Sequence, residues 1–198
     1  MNVTLGVLAL QGAFSAHENA LSRIGVATRQ VRTPRDLEAV DALVMPGGES
    51  TTMSQLLESS GLFPEIGGRI ASGMPVLGTC AGVILLAEAV LDGRDDQRSF
   101  GALPVTVRRN AYGRQIDSFE ADIPVNGLDD PFTAVFIRAP VIESVGDGVE
   151  VLARHADVPV VVATDRIMGI TFHPELTDDV RLHGLFVDRV VSLVTARR

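Results

Sequence analysis

The sequence predicts a layered α/β fold in which a mostly parallel sheet lies between helices, and three observations predict it. Strand-length apolar runs alternate with helix-period segments through the first half of the chain. The core material is almost wholly aliphatic, since 46% of residues are hydrophobic and only 5% aromatic, as expected of strands buried on both faces. The turns richest in glycine and reactive side chains follow strand candidates, where parallel α/β sheets carry their functional groups.

In chain order, Thr4–Leu10 reads as the first strand, Ala16–Ile24 as a helix, Val26–Val31 and Ala42–Met45 as strands, Thr52–Leu57 as a helix and Pro75–Leu77 as a strand. A further helix is predicted over Val83–Ala89. Between Asp92 and Gln97 the chain turns charged and loop-like. From Leu103 to Ala163 it is β-rich, with runs at Val105–Val107, Ala134–Ile137 and Val158–Ala163, which predicts an antiparallel extension. Ile167–Phe172 is one more strand. Leu182, Leu185, Phe186, Val190, Leu193 and Val194 recur at helical spacing and predict a terminal helix with one face on the sheet. The 198 residues contain no repeat or linker and are expected to form one domain, 1–198.

A formal net charge of −8 without a Lys/Arg stripe opposes binding of a phosphate backbone, so nucleic acid is not an expected partner. The apolar run near the start is too short for a membrane span and lacks a basic leader. A single cysteine excludes an internal disulfide and a multi-cysteine zinc site, and the histidines form no recognisable ligand cluster, so no metal is expected. A cytoplasmic location fits this usage.

That cysteine, Cys80, stands in Gly78-Thr79-Cys80-Ala81-Gly82 between a strand candidate and a helix candidate, the context of a nucleophile elbow. A sharp turn with the nucleophile at its apex leaves little space on either side, which glycine accommodates. The helix N-terminus places unpaired N–H groups near the sulfur and favours its anionic form. The plain alternative is a small buried hydrophobe.

His173-Pro174-Glu175 follows the strand candidate Ile167–Phe172, and Pro174 biases His173 toward extended backbone. Residues two apart in an extended segment share a side, so Glu175 can hold one imidazole nitrogen while the other faces the cysteine. Alone, the tripeptide also suits a structural histidine beside a solvated carboxylate. His17, His155 and His183 compete for the role of base, but none has a strand end before it and a carboxylate two residues on.

Met45-Pro46-Gly47-Gly48-Glu49-Ser50 ends a strand and opens a helix. Its small residues suit an oxyanion or a phosphate, although the lysine and spacing of a P-loop are missing, and a tight turn capped by Ser50 or Thr51 is the simplest reading. Arg109 and Arg138 lie in the β-rich part, where a cation can bind an amino acid's carboxylate.

Leu10-Gln11-Gly12-Ala13, Pro46 through Met53, Gly78 through Gly82, Tyr112 through Glu120, Phe136-Ile137-Arg138-Ala139-Pro140 and Phe172 through Thr177 occur together and in order. The chain so resembles the glutaminase subunits of pyridoxal 5′-phosphate synthase, a branch of the class I glutamine amidotransferases. The resemblance implies a flavodoxin-like α/β/α fold and hydrolysis of L-glutamine to glutamate and ammonia. It implies a triad of Cys80, His173 and Glu175. Substrate contacts would come from Gly47, Gly48, Glu49, Arg109, Ile137 and Arg138, and oxyanion donors from Gly48 and Ala81. It further implies delivery of ammonia to a separate synthase subunit, in a large hetero-oligomeric complex that makes pyridoxal 5′-phosphate from ribose 5-phosphate and glyceraldehyde 3-phosphate. No cofactor is expected in this chain. Departures from the family pattern fall mainly at the Asp92–Arg98 loop and at Arg108. Two other readings are another cysteine hydrolase on the same layered fold, and a binding module with a vestigial site.

Overall fold

The structure is a computed structural model that describes residues 3–94, 96–109 and 118–196. In chain order the elements are β1 (Thr4–Leu8), α1 (Phe14–Arg23), β2 (Ala27–Val31), α2 (Pro34–Glu38), β3 (Ala42–Met45), α3 (Ser50–Ser59), α4 (Leu62–Ala71), β4 (Val76–Thr79) and α5 (Ala81–Leu86). They continue with β5 (Ala87–Val90), β6 (Leu103–Arg108), β7 (Phe119–Ile123), β8 (Phe132–Phe136), β9 (Val141–Val145), β10 (Glu150–His155), β11 (Val158–Ala163), β12 (Ile167–Ile170), a 3-10 turn at Pro174–Leu176, and α6 (Arg181–Ala196).

Seven strands form the main sheet in the order β10-β11-β12-β4-β3-β1-β2. The five from β12 to β2 are parallel, and β11 and β10 extend one edge antiparallel. Alternate residues of each central strand enter different cores, as the two-residue period requires. Leu43, Met45 and Val76 face α2, α3, α4 and α5, whereas Ala42, Val44 and Leu77 face α1 and α6. Burial on both faces explains why these strands read as unbroken apolar runs.

The β-rich part is more divided than one antiparallel extension. Strands β5, β6 and β9 form a small sheet over the first core, with β5 parallel to β6, and β7 pairs with β8 over the second. The helix predicted over Val83–Ala89 ends at Leu86, and Ala87–Val90 is strand. Backbone bonds from Phe100 and Ala102 to the carbonyls of Leu85 and Leu86 engage acceptors a continuing helix would need, so sheet pairing overrides helical propensity there. Most of the Tyr112–Glu120 motif lies outside the described residues.

Candidate active site

Three neighbouring parallel strands, β12, β4 and β3, open at their carboxyl ends onto one cleft. Strand β4 delivers Cys80, whose φ of 47° and ψ of −104° place it in strained backbone between β4 and α5. The turn is held by a bond from the Cys80 N–H to the Ile170 carbonyl, 2.8 Å. Its glycines leave no alternative. A Cβ on Gly78 would lie 2.8 Å from the Gly82 carbonyl carbon, and one on Gly82 would collide with the Met45 carbonyl oxygen.

Beyond β12, His173 is fixed by its N–H to the Val135 carbonyl of β8, 2.9 Å. Its Nδ1 lies 2.7 Å from Glu175 Oε1, and its ring shares the wall of the cleft with Cys80, which acts on it from that side. The geometry differs from the extended one expected from the sequence. Glu175 belongs to a 3-10 turn opened by Pro174, so the carboxylate reaches the ring by folding back beneath it. Burial alone would lower the His173 pKa, but the hydrogen bonds to Cys80 and Glu175, with the attraction of both, raise it to about 10. Burial likewise favours the neutral form of Glu175, yet His173 and His17 hold its pKa below the ordinary carboxylate value. The imidazole thus lies between a sulfur and a buried carboxylate, both of which favour its protonated form.

The loop after β3 closes the other side. Gly47 packs so tightly that an added Cβ would overlap the His173 ring and lie 3.2 Å from Cys80 Cβ. The cap of α3 is Glu49, not Ser50 or Thr51: its carboxylate accepts from the N–H groups of Thr51 at 3.0 Å and Thr52 at 2.7 Å. Glu49 also pairs with Arg109 Nη2 at 3.0 Å, and its N–H donates to Gln11 Oε1 at 3.3 Å. Although partial burial acts to raise its pKa, the bonds from Thr52 and Thr51 and the Arg109 charge bring it to about 2.

The cleft encloses about 210 Å³ and is lined by Gly48, Glu49, Ser50, Cys80, Ile84, Arg109, Ile137, Arg138 and His173. Gly47 lies beneath it, Glu175 behind His173, and Ala81 is buried at the start of α5. Arg138 enters from the bend after β8 with φ of 46°. As site residues Ser50 and Ile84 are not predicted by the sequence, where Ser50 reads as a helix cap and Ile84 as an ordinary helix residue. His155 stands by Phe119 and Phe136 instead, 5.4 and 5.6 Å between ring centroids. His17 and His183 are fully buried behind Glu175. Among the described residues, no group of three or more His, Cys, Asp or Glu side chains is placed to hold a metal ion.

The model of the SNO glutamine amidotransferase family matches residues 7–192. The chain belongs to that family. Similar members include the pyridoxal 5′-phosphate synthase subunit PdxT of Corynebacterium jeikeium, 52% identical over 187 residues that cover 94% of this chain and 96% of the relative. The subunit of the same name from Salinispora tropica is 54% identical, with coverage of 96% and 98%. A solved structure described as a glutamine amidotransferase superposes with a TM-score of 0.89 at 46% identity, covering 94% of this chain and 98% of that one. The fold of this glutamine amidotransferase, with its mostly parallel central sheet, thus has its counterpart in a solved structure.

Proposed function

We propose that this chain hydrolyses L-glutamine to L-glutamate and ammonia through Cys80, His173 and Glu175, and supplies the ammonia to a pyridoxal 5′-phosphate synthase. The observation that carries the reading is the placement of His173 between the Cys80 sulfur and the Glu175 carboxylate, on the wall of a cleft lined by Arg109 and Arg138. At about 210 Å³ the cleft lies below the usual range for drug-sized ligands and suits a single amino acid. The two guanidinium groups match a carboxylate, and the ionised Glu49 matches an ammonium. Gly47, Gly48 and Ile137 supply the backbone and apolar walls.

His173 carries the proton that the sulfur must lack to attack. Cys80 adds to the carboxamide carbon, and the oxygen becomes an oxyanion held by the N–H groups of Gly48 and Ala81. Loss of one such donor typically costs about 3 kcal/mol of transition-state stabilisation. Collapse breaks the C–N bond as His173 gives its proton to the departing ammonia, leaving a thioester. His173, now neutral, takes a proton from water, whose oxygen attacks the thioester carbonyl and releases glutamate. Glu175 holds the ring in register through both proton transfers.

The second half of the proposal rests on the relatives, named as subunits of pyridoxal 5′-phosphate synthase. A separate synthase subunit would receive the ammonia in a hetero-oligomeric complex and join it with ribose 5-phosphate and glyceraldehyde 3-phosphate. The chain would act in the cytoplasm as one glutaminase domain. No helix among the described residues is long and apolar enough to cross a membrane. A glutamine-analogue electrophile tests the reading: mass spectrometry should find Cys80 labelled and protected by glutamine. Absence of labelling in the presence of the synthase subunit would refute it.

A further inference from the structure

Behind Glu175 lies a second pair of ring nitrogens that the reaction just described does not use. His17 of α1 and His183 of α6 are both 0% exposed. His17 Nδ1 is 3.0 Å from His183 Nε2, and His17 Nε2 is 3.1 Å from the Thr79 hydroxyl at the end of β4. The same Nε2 stands 3.4 Å from Glu175 Oε2, the carboxylate oxygen turned away from His173, which has no hydrogen-bond partner among the described residues. A line of side chains thus runs inward from the sulfur through His173 and Glu175 to His17 and His183.

The contacts fix where the protons sit. One proton lies between His17 Nδ1 and His183 Nε2. If His17 donated it, a neutral His183 would carry its own proton on Nδ1, which is buried without a partner among the described residues. His17 Nε2 would then turn a lone pair toward the Glu175 carboxylate. If His183 Nε2–H donates, its Nδ1 is bare and needs no acceptor, and His17 carries its proton on Nε2, between the Thr79 hydroxyl and Glu175 Oε2.

We propose that His183 Nε2–H donates to His17 Nδ1, and that His17 Nε2–H, directed at Thr79 Oγ1 and Glu175 Oε2, positions the Glu175 carboxylate for its bond to His173. This rests on the triad reading above and makes His17 a positioning residue. The ionisable groups acting on His17 are Glu175 and His173, and those acting on His183 are His17 and Glu175. Burial is the largest influence on both: it lowers the His17 pKa and brings that of His183 to about 3, so each stays neutral at physiological pH.

Long-range proton–nitrogen correlation spectra of the full chain, labelled with nitrogen-15 histidine, test the tautomers directly. His17 and His183 should both appear as neutral Nε2–H rings at physiological pH. An Nδ1–H tautomer or a cation at His17 overturns the assignment, whether or not any variant folds. Glutamate release with the synthase subunit present then tests the role. His17→Leu should lower kcat roughly 10- to 100-fold, the range brought by losing an outer partner of an oriented histidine at metal sites. KM should stay within about threefold, and His17→Gln, whose amide N–H can reach the Nε2 position, should recover most of the rate. Wild-type kcat in His17→Leu refutes the positioning role alone. Undiminished release in His173→Ala instead refutes the triad, and the positioning role with it.

Discussion

His173 Nδ1 lies 2.7 Å from Oε1 of Glu175, and Pro174 between them opens the 3-10 turn that folds the carboxylate under the ring. The short loop does with local geometry what other triads do with residues far apart in sequence. Because Glu175 is buried, its charge acts on the imidazole with little screening by water.

Glu175→Gln should therefore impair the reaction more than its near-identical shape suggests. The amide can still accept from the ring, but its other end presents N–H groups where a buried anion stood. We expect kcat to fall by about two to four orders of magnitude, the upper end matching an equivalent change in a serine protease triad, with KM nearly preserved. Steady-state glutamate release measures both. A loss under about tenfold would show that the charge is not needed.

The raised pKa of His173 has a definite sign in stability. Its folded value of about 10 exceeds its ordinary 6.5, so the pairing with Cys80 and Glu175 contributes fully below pH 6.5 and is lost as pH rises through about 10. Urea unfolding between those limits should show a decline on the order of a few kcal/mol, absent from His173→Gln. In Cys80→Ala the His173 titration, followed by NMR, should move to lower pH, since the sulfur is one of the groups that raises it.

Gly47→Ala tests the fit of the loop against the site. Its methyl would overlap the His173 ring and approach Cys80 Cβ, so either the ring or the loop must move. Overpacking of this kind typically costs about 1–3 kcal/mol of stability. Displacing the ring from the sulfur should lower kcat by about 100-fold. Thermal unfolding and glutamate release on one preparation separate the two effects.

Glu49 caps α3 and holds Arg109 at the cleft mouth. Glu49→Ala should cost about 1 kcal/mol of stability through the lost cap and raise KM for glutamine as Arg109 loses its partner. The cap is strongest with the carboxylate ionised: its contribution is present above pH 4.5 and lost as pH falls through about 2. Acid unfolding of wild type and variant should converge at low pH.

Much of this was legible in the sequence because the central strands are buried on both sides and the glycine turns are short. Gly78, Cys80 and Gly82 disclose the elbow, since each glycine sits where the neighbouring backbone admits no Cβ. Helices α2 and α4 lie outside the predicted elements, although the capping box of Thr33 and Asp36 around Pro34 marks the first and the buried face of Leu62, Phe63 and Ile66 marks the second. Strand β5 was not legible. Ala87–Val90 carries no periodicity that separates it from α5, and its identity comes from pairing with β6, more than a dozen residues away. His17 and His183, 166 positions apart, meet only once α1 and α6 pack on the same face of the sheet. The Glu49–Arg109 pair, whose partners are 60 positions apart, likewise forms only in the folded chain.

The most direct test of the central claim is glutamate release from glutamine by the purified chain and by Cys80→Ala, each with and without the synthase subunit. Release that the partner stimulates and that Cys80→Ala abolishes is the predicted result. Release that survives in Cys80→Ala, or none in any mixture of verified, folded and associated proteins, would contradict it.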